Sequence, residues 1–375
     1  MHMADALLSP TVGVALWAVS AGGIGYCSRR LDAEFDERKV PLMGVLGAFL
    51  FAAQMVNFSI PGTGSSGHLG GGLLLAVLLG PHAALLTIAS VLLVQALFFA
   101  DGGLLAFGCN VFNLGLLPAF VAYPLVYRKL AGEQPSELRL SLATIVAAIV
   151  GLQLGAFGVV VETVASGRSS LPLTTFAAFM QPIHLAIGVV EGLVTAAVVS
   201  FVRRARPEML HASRIARGGR SWRVPLAVLL TAALFAGGVL SWFASSKPDG
   251  LEWSLARASG KDRRETSPDD VHRALAAVQQ RTALLPGYAF APPAEVADAQ
   301  ATPRQDAGGD RYAALGSSVA GVVGGLIALA LALLIGVVLR GLDRRASRDR
   351  ESRHRFPHSR SFSGVRGKAR EKRDS

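Results

Sequence analysis

The sequence predicts an all-α, polytopic helical membrane protein with about nine transmembrane segments and its N-terminus outside. Of the 375 residues, 51% are hydrophobic and only 17% are charged. A soluble protein of this length carries nearer ~25% charged residues. Long apolar runs without charges are typical of membrane-spanning helices. The composition therefore favours a chain embedded in a lipid bilayer.

Nine apolar segments supply the predicted helices. They lie at about residues 9–27, 41–58, 70–80, 82–100, 105–127, 140–161, 177–202, 223–243 and 315–339. Ser9-Pro10 is a start signal for the first helix, and no basic flank precedes it, so a cleaved signal peptide is not expected. The third segment is too short to cross a bilayer as a straight helix, and Gly80-Pro81 separates it from the fourth. The stretch 59–72 is then either an external loop or a binding loop.

Basic residues predict the orientation of the chain. They cluster after the first, fifth and seventh segments, where we expect the cytoplasmic side. This places the N-terminus outside and the C-terminus inside, and it explains the net charge of +11 without a nucleic-acid partner. The clustered residues are Arg29, Arg30, Arg38, Lys39, Arg128, Lys129, Arg203, Arg204, Arg206, Arg214, Arg217, Arg220 and Arg223.

The chain divides into two membrane units. Residues 1–205 form the first unit, and a basic cytoplasmic linker follows at 206–222. Residues 223–340 form a two-helix unit around a hydrophilic external loop, with one short helix predicted at 269–281. The tail at 341–375 is rich in Arg and Ser and is expected to be a disordered cytoplasmic segment.

The second residue is the first candidate ligand of a metal ion. A terminal amine, the first peptide nitrogen and the His2 imidazole can surround one ion in a plane, and a second imidazole would complete four nitrogens. Such a plane favours Ni(II) or Cu(II), and Co(II) is also conceivable, whereas Zn(II) prefers a tetrahedron. The large His2 side chain protects Met1 from aminopeptidases. His68, in the glycine-rich break at 62–72, falls on the same predicted side of the membrane.

Polar residues inside the apolar segments are the other candidates, because ionisable groups in a membrane are costly. His184 and Glu191 are seven residues apart and share a helix face, either as functional groups or as hydrogen-bonding partners of neighbouring helices. Asn110 and Asn113 are expected to bond between helices, and Asp101 to form a turn. The full set is Asn57, Asp101, Asn110, Asn113, Gln153, Glu162, His184 and Glu191. The histidines not expected to bind metal are His82, His211, His272, His354 and His358.

Several chemistries are excluded by their absent motifs. The sequence contains no G-x-x-x-x-G-K-[ST] phosphate loop, no H-E-x-x-H and no G-x-S-x-G. An ATPase of the phosphate-loop type and the commonest zinc peptidase are therefore not expected. Cys27 and Cys109 lie in or beside apolar segments, which predicts small apolar fillers rather than a disulfide.

Four motifs in order resemble the CbiM/NikM family, the substrate-binding membrane components of energy-coupling-factor transporters for cobalt and nickel. They are MHMADALLSP, VNFSIPGTGSSGHLGGG, FFADGGLLAFGCNVFNLGLLPAF and HLAIGVVEGLVTAAVV, within residues 1–205. The run Pro248-Asp249-Gly250-Leu251-Glu252 resembles the PDGLE domain, which stands in the NikN role beside these components.

The resemblance implies a metal site made by the Met1 amine, the His2 backbone nitrogen, the His2 imidazole and His68. It further implies a closing loop supported by Asn57, Ser66 and Gly67. Family members often carry His-Ile and Pro-Asp-Gly near the start, whereas this chain has Met3 and Ala4-Asp5-Ala6. The ligands survive this change, and the packing beneath them differs.

The expected function is therefore that of a non-enzymatic, metal-binding subunit of an energy-coupling-factor, ABC-type importer for Ni(II) or Co(II) in a prokaryotic cell (inner) membrane. No permanent cofactor is expected. A transmembrane coupling protein and cytosolic ATPases would be separate chains. Three alternatives stay open: cobalt uptake for cobalamin biosynthesis, a membrane metal sensor or assembly protein without transport, and an intramembrane enzyme using His184 and Glu191.

Overall fold

The computed structural model describes residues 2–33, 39–169, 171–205, 223–259, 269–290 and 315–338. Helices dominate these residues, and the two strands form one small hairpin. The helices and strands are α1 (Pro10–Ala33), α2 (Lys39–Met55), β1 (Phe58–Ile60), β2 (Ser65–Gly67), α3 (Gly72–Leu79), α4 (Pro81–Phe99), α5 (Phe107–Ala131), α6 (Glu137–Ser166), α7 (Leu173–Ala205), α8 (Arg223–Gly238), α9 (Gly250–Ser259), α10 (Asp270–Thr282) and α11 (Leu315–Val338).

Each of the nine predicted apolar segments overlaps one helix. Six of these helices are long and apolar enough to cross a membrane, namely α1, α4, α5, α6, α7 and α11. The apolar parts of α2 and α8 are shorter, and α3 has only eight residues. The helical membrane fold is thus confirmed, whereas the number of crossings and the external N-terminus stay predictions.

Local sequence signals set the helix ends. Helix α1 begins at Pro10, and the Ser9 hydroxyl accepts a hydrogen bond from the Val12 amide at 3.4 Å. Gly80 has φ of 83° between α3 and α4, as the Gly80-Pro81 break predicts. Asp269 caps the predicted short helix α10 by accepting from the His272 amide. Helix α5 contains Pro118 and Pro124 and runs with wide, π-type turns over much of its length.

The short helix α3 lies at the centre of the first unit. All its residues are buried, and it packs against α2, α4, α5, α6 and α7. At its start, a side chain on Gly72 would meet the Leu114 carbonyl of α5 at 2.0 Å. Glycine therefore allows α3 to enter the bundle directly beside α5.

Helices α8 and α11 of the second unit pack on the first through α2. Helix α8 packs along α2, and Gly324 of α11 leaves room for the Phe51 ring of α2. Helices α8 and α11 cross with Gly237 and Gly321 in contact, where small residues permit close backbone approach. The Trp242 indole N–H donates to the Ser318 hydroxyl beside this crossing.

Candidate metal-binding site

The small hairpin carries His68 to one end of the bundle. Strands β1 and β2 pair antiparallel, with Phe58 opposite Gly67, and the turn between them uses Gly62 and Gly64 with φ near 75°. Gly67 lies so close to α7 that a Cβ atom there would meet Ile187 at 2.4 Å. The hairpin therefore packs tightly on α7 and leaves His68 almost fully buried.

The loop after His68 is held by a carboxylate from the membrane interior. Glu191 of α7 accepts hydrogen bonds from the Gly70 amide at 2.8 Å and the Gly71 amide at 3.0 Å. The Gly70 carbonyl accepts from the Gln54 side chain, which in turn accepts from Gln95. These bonds satisfy buried backbone groups and fix the position of the loop.

The N-terminal segment is fixed by a second set of hydrogen bonds. The Asn110 side chain of α5 accepts from the Met3 amide at 2.7 Å and donates to the Met3 carbonyl at 3.2 Å. Asp5 accepts from the Ala106 amide at 2.8 Å. The Met3 side chain, at a position that departs from the family pattern, is fully buried in the core.

The two candidate imidazoles come together although they are 66 positions apart in sequence. The ring centroids of His2 and His68 lie 4.9 Å apart, with 39° between the ring planes. Imidazole–metal bonds of about 2.0 Å put ring centroids roughly 4.5 Å apart on adjacent corners of a square, and roughly 6.3 Å apart on opposite corners. The observed spacing fits two adjacent ligands of one ion.

The hydrogen-bond partners indicate which ring nitrogens carry protons. His2 Nδ1 lies 3.0 Å from the Asp101 carboxylate, and His68 Nδ1 lies 3.1 Å from the Leu69 carbonyl. Both partners can only accept, so each Nδ1 donates a hydrogen bond. His2 Nε2 is buried and has no hydrogen-bond partner among the described residues.

Electrostatics keep His68 neutral and Asp101 charged. Burial and, after it, neighbouring positive charge lower the pKa of His68 to about 3, so the imidazole is free of the second proton that blocks metal binding. Burial opposes ionisation of Asp101, but the His2 contact and the Tyr288 hydrogen bond hold its pKa below the usual range. The site thus combines the neutral His68 imidazole with nearby negative charge on Asp101 and Asp249.

The PDGLE turn of the second unit docks beside His68. The Ser66 amide donates to the Pro248 carbonyl at 2.8 Å, and the Ser66 hydroxyl donates to the Lys247 carbonyl at 2.8 Å. Asp249 and Glu252 form reciprocal side chain–backbone bonds at the start of α9. The turn thus binds the hairpin through backbone carbonyls, and the motif also caps the start of α9.

Gly250 completes this docking by close approach to α7. A Cβ atom at Gly250 would meet Ile183 at 2.8 Å and the His184 ring at 3.0 Å. His184 itself donates from Nδ1 to the Met180 carbonyl of its own helix at 2.7 Å. Its ring therefore packs against Gly250 at the start of α9.

Helix α10 and the turn after it cover the N-terminal segment. His272 Nε2 donates to the Asp5 and Leu8 carbonyls at 2.9 and 3.1 Å. Gln279 donates to the carbonyls of Ala96 and Gly102, so the second unit also caps the last turn of α4. Tyr288 donates from its hydroxyl to Asp101, whose other oxygen contacts His2.

The other predicted polar residues form hydrogen bonds in different parts of the structure. Glu191 holds the His68 loop, and Asn110 holds Met3, whereas Asn113 donates to Glu162 at 2.8 Å within the helices. The Asn57 carbonyl accepts from Ser245 of the second unit, and its side-chain oxygen has no partner in the described region.

The described part of the chain contains no group of three or more His, Cys, Asp or Glu side chains arranged to hold a metal ion. Two imidazoles alone give two of the four expected donors. The other two implied donors are the Met1 amine and the His2 backbone nitrogen; Met1 lies outside the described residues, as do His211, His354 and His358. His82 contacts the rings of Tyr26 and Phe120, and both cysteines are buried and free.

Sequence reasoning missed the contribution of four residues. Gln54 and Gln95 lie inside apolar helices and were detectable there as buried polar groups. Asp101 does lie in the predicted turn, but its contact with His2 was not foreseen. Tyr288 gave no sequence signal, because 187 residues separate it from Asp101.

The fold and the paired imidazoles define a multi-pass membrane protein with a site suited to a transition-metal ion. The sequence signature described as "Cobalt uptake substrate-specific transmembrane region" matches residues 2–209, and the PDGLE domain matches residues 223–341. The chain belongs to the CbiM family and carries a C-terminal PDGLE domain. As a member of this family it is a transport protein rather than an enzyme.

Some relatives are named as nickel transport proteins and others as cobalt transport proteins. The fused nickel transport protein NikMN of Rhodobacter capsulatus is 33% identical over 226 residues, which is 57% of this chain and 65% of that protein. The cobalt transport protein CbiM of Sorangium cellulosum is 30% identical over 229 residues, 59% of this chain and 97% of that protein. A crystal structure of a truncated transition metal transporter is 29% identical, with a TM-score of 0.49, and covers 54% of this chain and 99% of that one.

Proposed function

We propose that this chain is the metal-capturing membrane subunit of an energy-coupling-factor importer for nickel. The observation that carries the proposal is the 4.9 Å spacing of the His2 and His68 rings, which suits adjacent ligands of one ion. The Met1 amine and the His2 backbone nitrogen would complete a plane of four nitrogens. Such a plane favours Ni(II) over metals that prefer tetrahedral sites.

Capture of the ion releases protons from the amine and the peptide nitrogen. The site faces the outside of a prokaryotic cell membrane in this proposal, because the clustered basic residues mark the opposite side as cytoplasmic. The sequence has no phosphate loop. A transmembrane coupling protein and cytosolic ATPases on other chains would therefore supply the energy that reorients the subunit and releases the ion inward.

The second unit contacts both segments that carry the candidate metal ligands. The PDGLE turn bonds to the hairpin that carries His68, and His272 bonds to the segment that carries His2. We propose that this unit orders both ligand-bearing segments before the ion arrives. Deletion of residues 221–375 without loss of nickel uptake would reject this role.

Cobalt uptake for cobalamin biosynthesis is the second candidate, favoured by the cobalt transport relatives. The test is accumulation of radioactive nickel, with and without excess cobalt, in cells that make this chain together with a coupling protein and ATPases. We expect nickel accumulation that the His68→Ala variant lacks. Accumulation of cobalt alone would assign the cobalt function. Nickel binding without accumulation under any partner combination would favour a membrane sensor or assembly protein.

A further inference from the structure

Asp101 joins the two units at the candidate metal site. One oxygen of its carboxylate contacts His2 Nδ1 at 3.0 Å, and the other accepts from the Tyr288 hydroxyl. His2 belongs to the first unit and Tyr288 to the second. A single side chain therefore transmits the position of the second unit to a candidate metal ligand.

The backbone conformation at Ala100 and at Tyr288 shows that the surroundings hold both positions in place. Ala100, directly before Asp101, has φ of 53°, and Tyr288 has φ of 62°. Non-glycine residues rarely adopt this left-handed conformation, so other contacts must stabilise it. The Tyr288 ring stacks on Phe99 with centroids 5.2 Å apart and contacts the edge of Phe51. The ring would remain anchored if its hydroxyl were removed.

The turn itself does not need the Asp101 carboxylate. The backbone of the turn is closed by the Asp101 amide, which donates to the Gln95 carbonyl at 3.1 Å, and by Gln279, which donates to the Gly102 carbonyl. The carboxylate is therefore free to act on His2, and changing it leaves the backbone bonds of the turn in place.

We propose that Asp101 is a positioning residue for the His2 imidazole during metal binding, and that Tyr288 makes this contact depend on the second unit. This inference rests on the proposed function. When one imidazole nitrogen binds a metal, the other carries a proton and is commonly oriented by a carboxylate. Asp101 is the carboxylate that contacts His2 in the described structure.

Binding of one ion by both the backbone nitrogen and the imidazole of His2 determines which ring nitrogen is the ligand. Such a chelate closes through Nδ1, because Nε2 lies on the far side of the ring. In the structure Nδ1 faces Asp101 at 3.0 Å, so metal binding through Nδ1 would require a half-turn of the ring about the Cβ–Cγ bond. That half-turn would exchange the positions of Nε2 and Cε1, and Nε2–H would then lie on the side of the ring that faces Asp101. The carboxylate would accept from Nε2–H and orient the ring.

The experiment measures nickel affinity of the purified full-length chain by competition with a chelator, together with visible absorption of the bound ion and thermal unfolding. Asp101→Ala is expected to weaken nickel binding on the order of 10- to 100-fold. Asp101→Asn should weaken it less, because the amide oxygen still accepts an N–H. Tyr288→Phe should weaken binding in the wild type but not in the Asp101→Ala background. The buried Tyr127→Phe is the matched control and should bind as the wild type does.

The visible absorption separates positioning from general destabilisation. A change in the absorption of bound nickel at an unchanged unfolding temperature supports the proposal, because it reports an altered ligand plane. Wild-type affinity and absorption in Asp101→Ala would overturn it, as would losses that merely follow a lowered unfolding temperature. If the wild type binds no nickel, or His68→Ala binds it equally well, the proposed function fails instead.

Discussion

Replacing Glu191 with glutamine tests whether the loop after His68 is held from the membrane interior. The carboxylate accepts from two buried amides, those of Gly70 and Gly71. Glutamine offers one acceptor and one amino group, so one of the two amides would face a donor. Hydrogen bonds to charged groups contribute about 1.5–3 kcal/mol, and an unsatisfied buried group costs about 1–3 kcal/mol.

The expected loss is therefore about 2–4 kcal/mol of stability of the ordered loop. If loop order and metal binding are fully coupled, the Kd for nickel rises roughly 30- to 1000-fold. Equilibrium competition with a chelator measures this change on the purified chain. Glu162→Gln is the matched control, because Glu162 is a buried carboxylate whose described side-chain partner is Asn113 rather than the loop. A nickel Kd within about threefold of the wild type in Glu191→Gln would refute the reasoning, since a tenfold change corresponds to 1.4 kcal/mol.

Three further predictions concern the second unit. Gly250→Ala should separate α9 from α7, because its Cβ would meet Ile183 at 2.8 Å; overpacking costs about 1–3 kcal/mol, and unchanged protease resistance of α9 would contradict this. Asp269 has a pKa lowered to about 2, first by its His272 hydrogen bond. Its stabilising effect is thus full above the ordinary value near 3.8 and fades as pH falls towards 2. Asp269→Asn should flatten the fall in unfolding temperature over that interval, and an unaltered profile would exclude this contribution. Gly321→Ala should push α11 away from α8, because its Cβ would meet the Gly237 carbonyl at 2.4 Å; unchanged disulfide cross-linking of cysteines placed across the crossing would argue against it.

The sequence predicts the helices well because each follows from local hydrophobicity. All nine apolar segments overlap helices, and the short helix α10 begins beside its capping residue Asp269. The hairpin at 58–67 was not predicted as strands, because three-residue strands carry no readable alternation. Helix α9 was also missed, since its ten residues contain no long apolar run and its docking depends on Gly250.

The sequence predicts residues of the site only where their type and position along the chain are unusual. His2 and His68 were identified by residue type, by a position at the terminus and by flanking glycines. The role of Glu191 was not, because its partners are backbone amides more than 100 residues away. Contacts of this kind depend on how helices pack, and one sequence alone does not specify that arrangement.

The same limit explains the residues at the junction of the two units. Asp101 follows a helix end and has the composition of an ordinary turn, with Gly102 and Gly103 after it. Tyr288 reaches it only because α10 lies against the end of α4. The link between the second unit and His2 is therefore a property of tertiary structure.

The most direct test of the central claim is nickel stoichiometry and affinity of the purified chain, compared among the wild type, His2→Ala, His68→Ala and the control His82→Ala. The account predicts about one bound ion per chain in the wild type and in the control. It predicts loss of tight binding in both ligand variants. Unchanged binding in His2→Ala and His68→Ala would contradict the assignment of the paired imidazoles as the metal site.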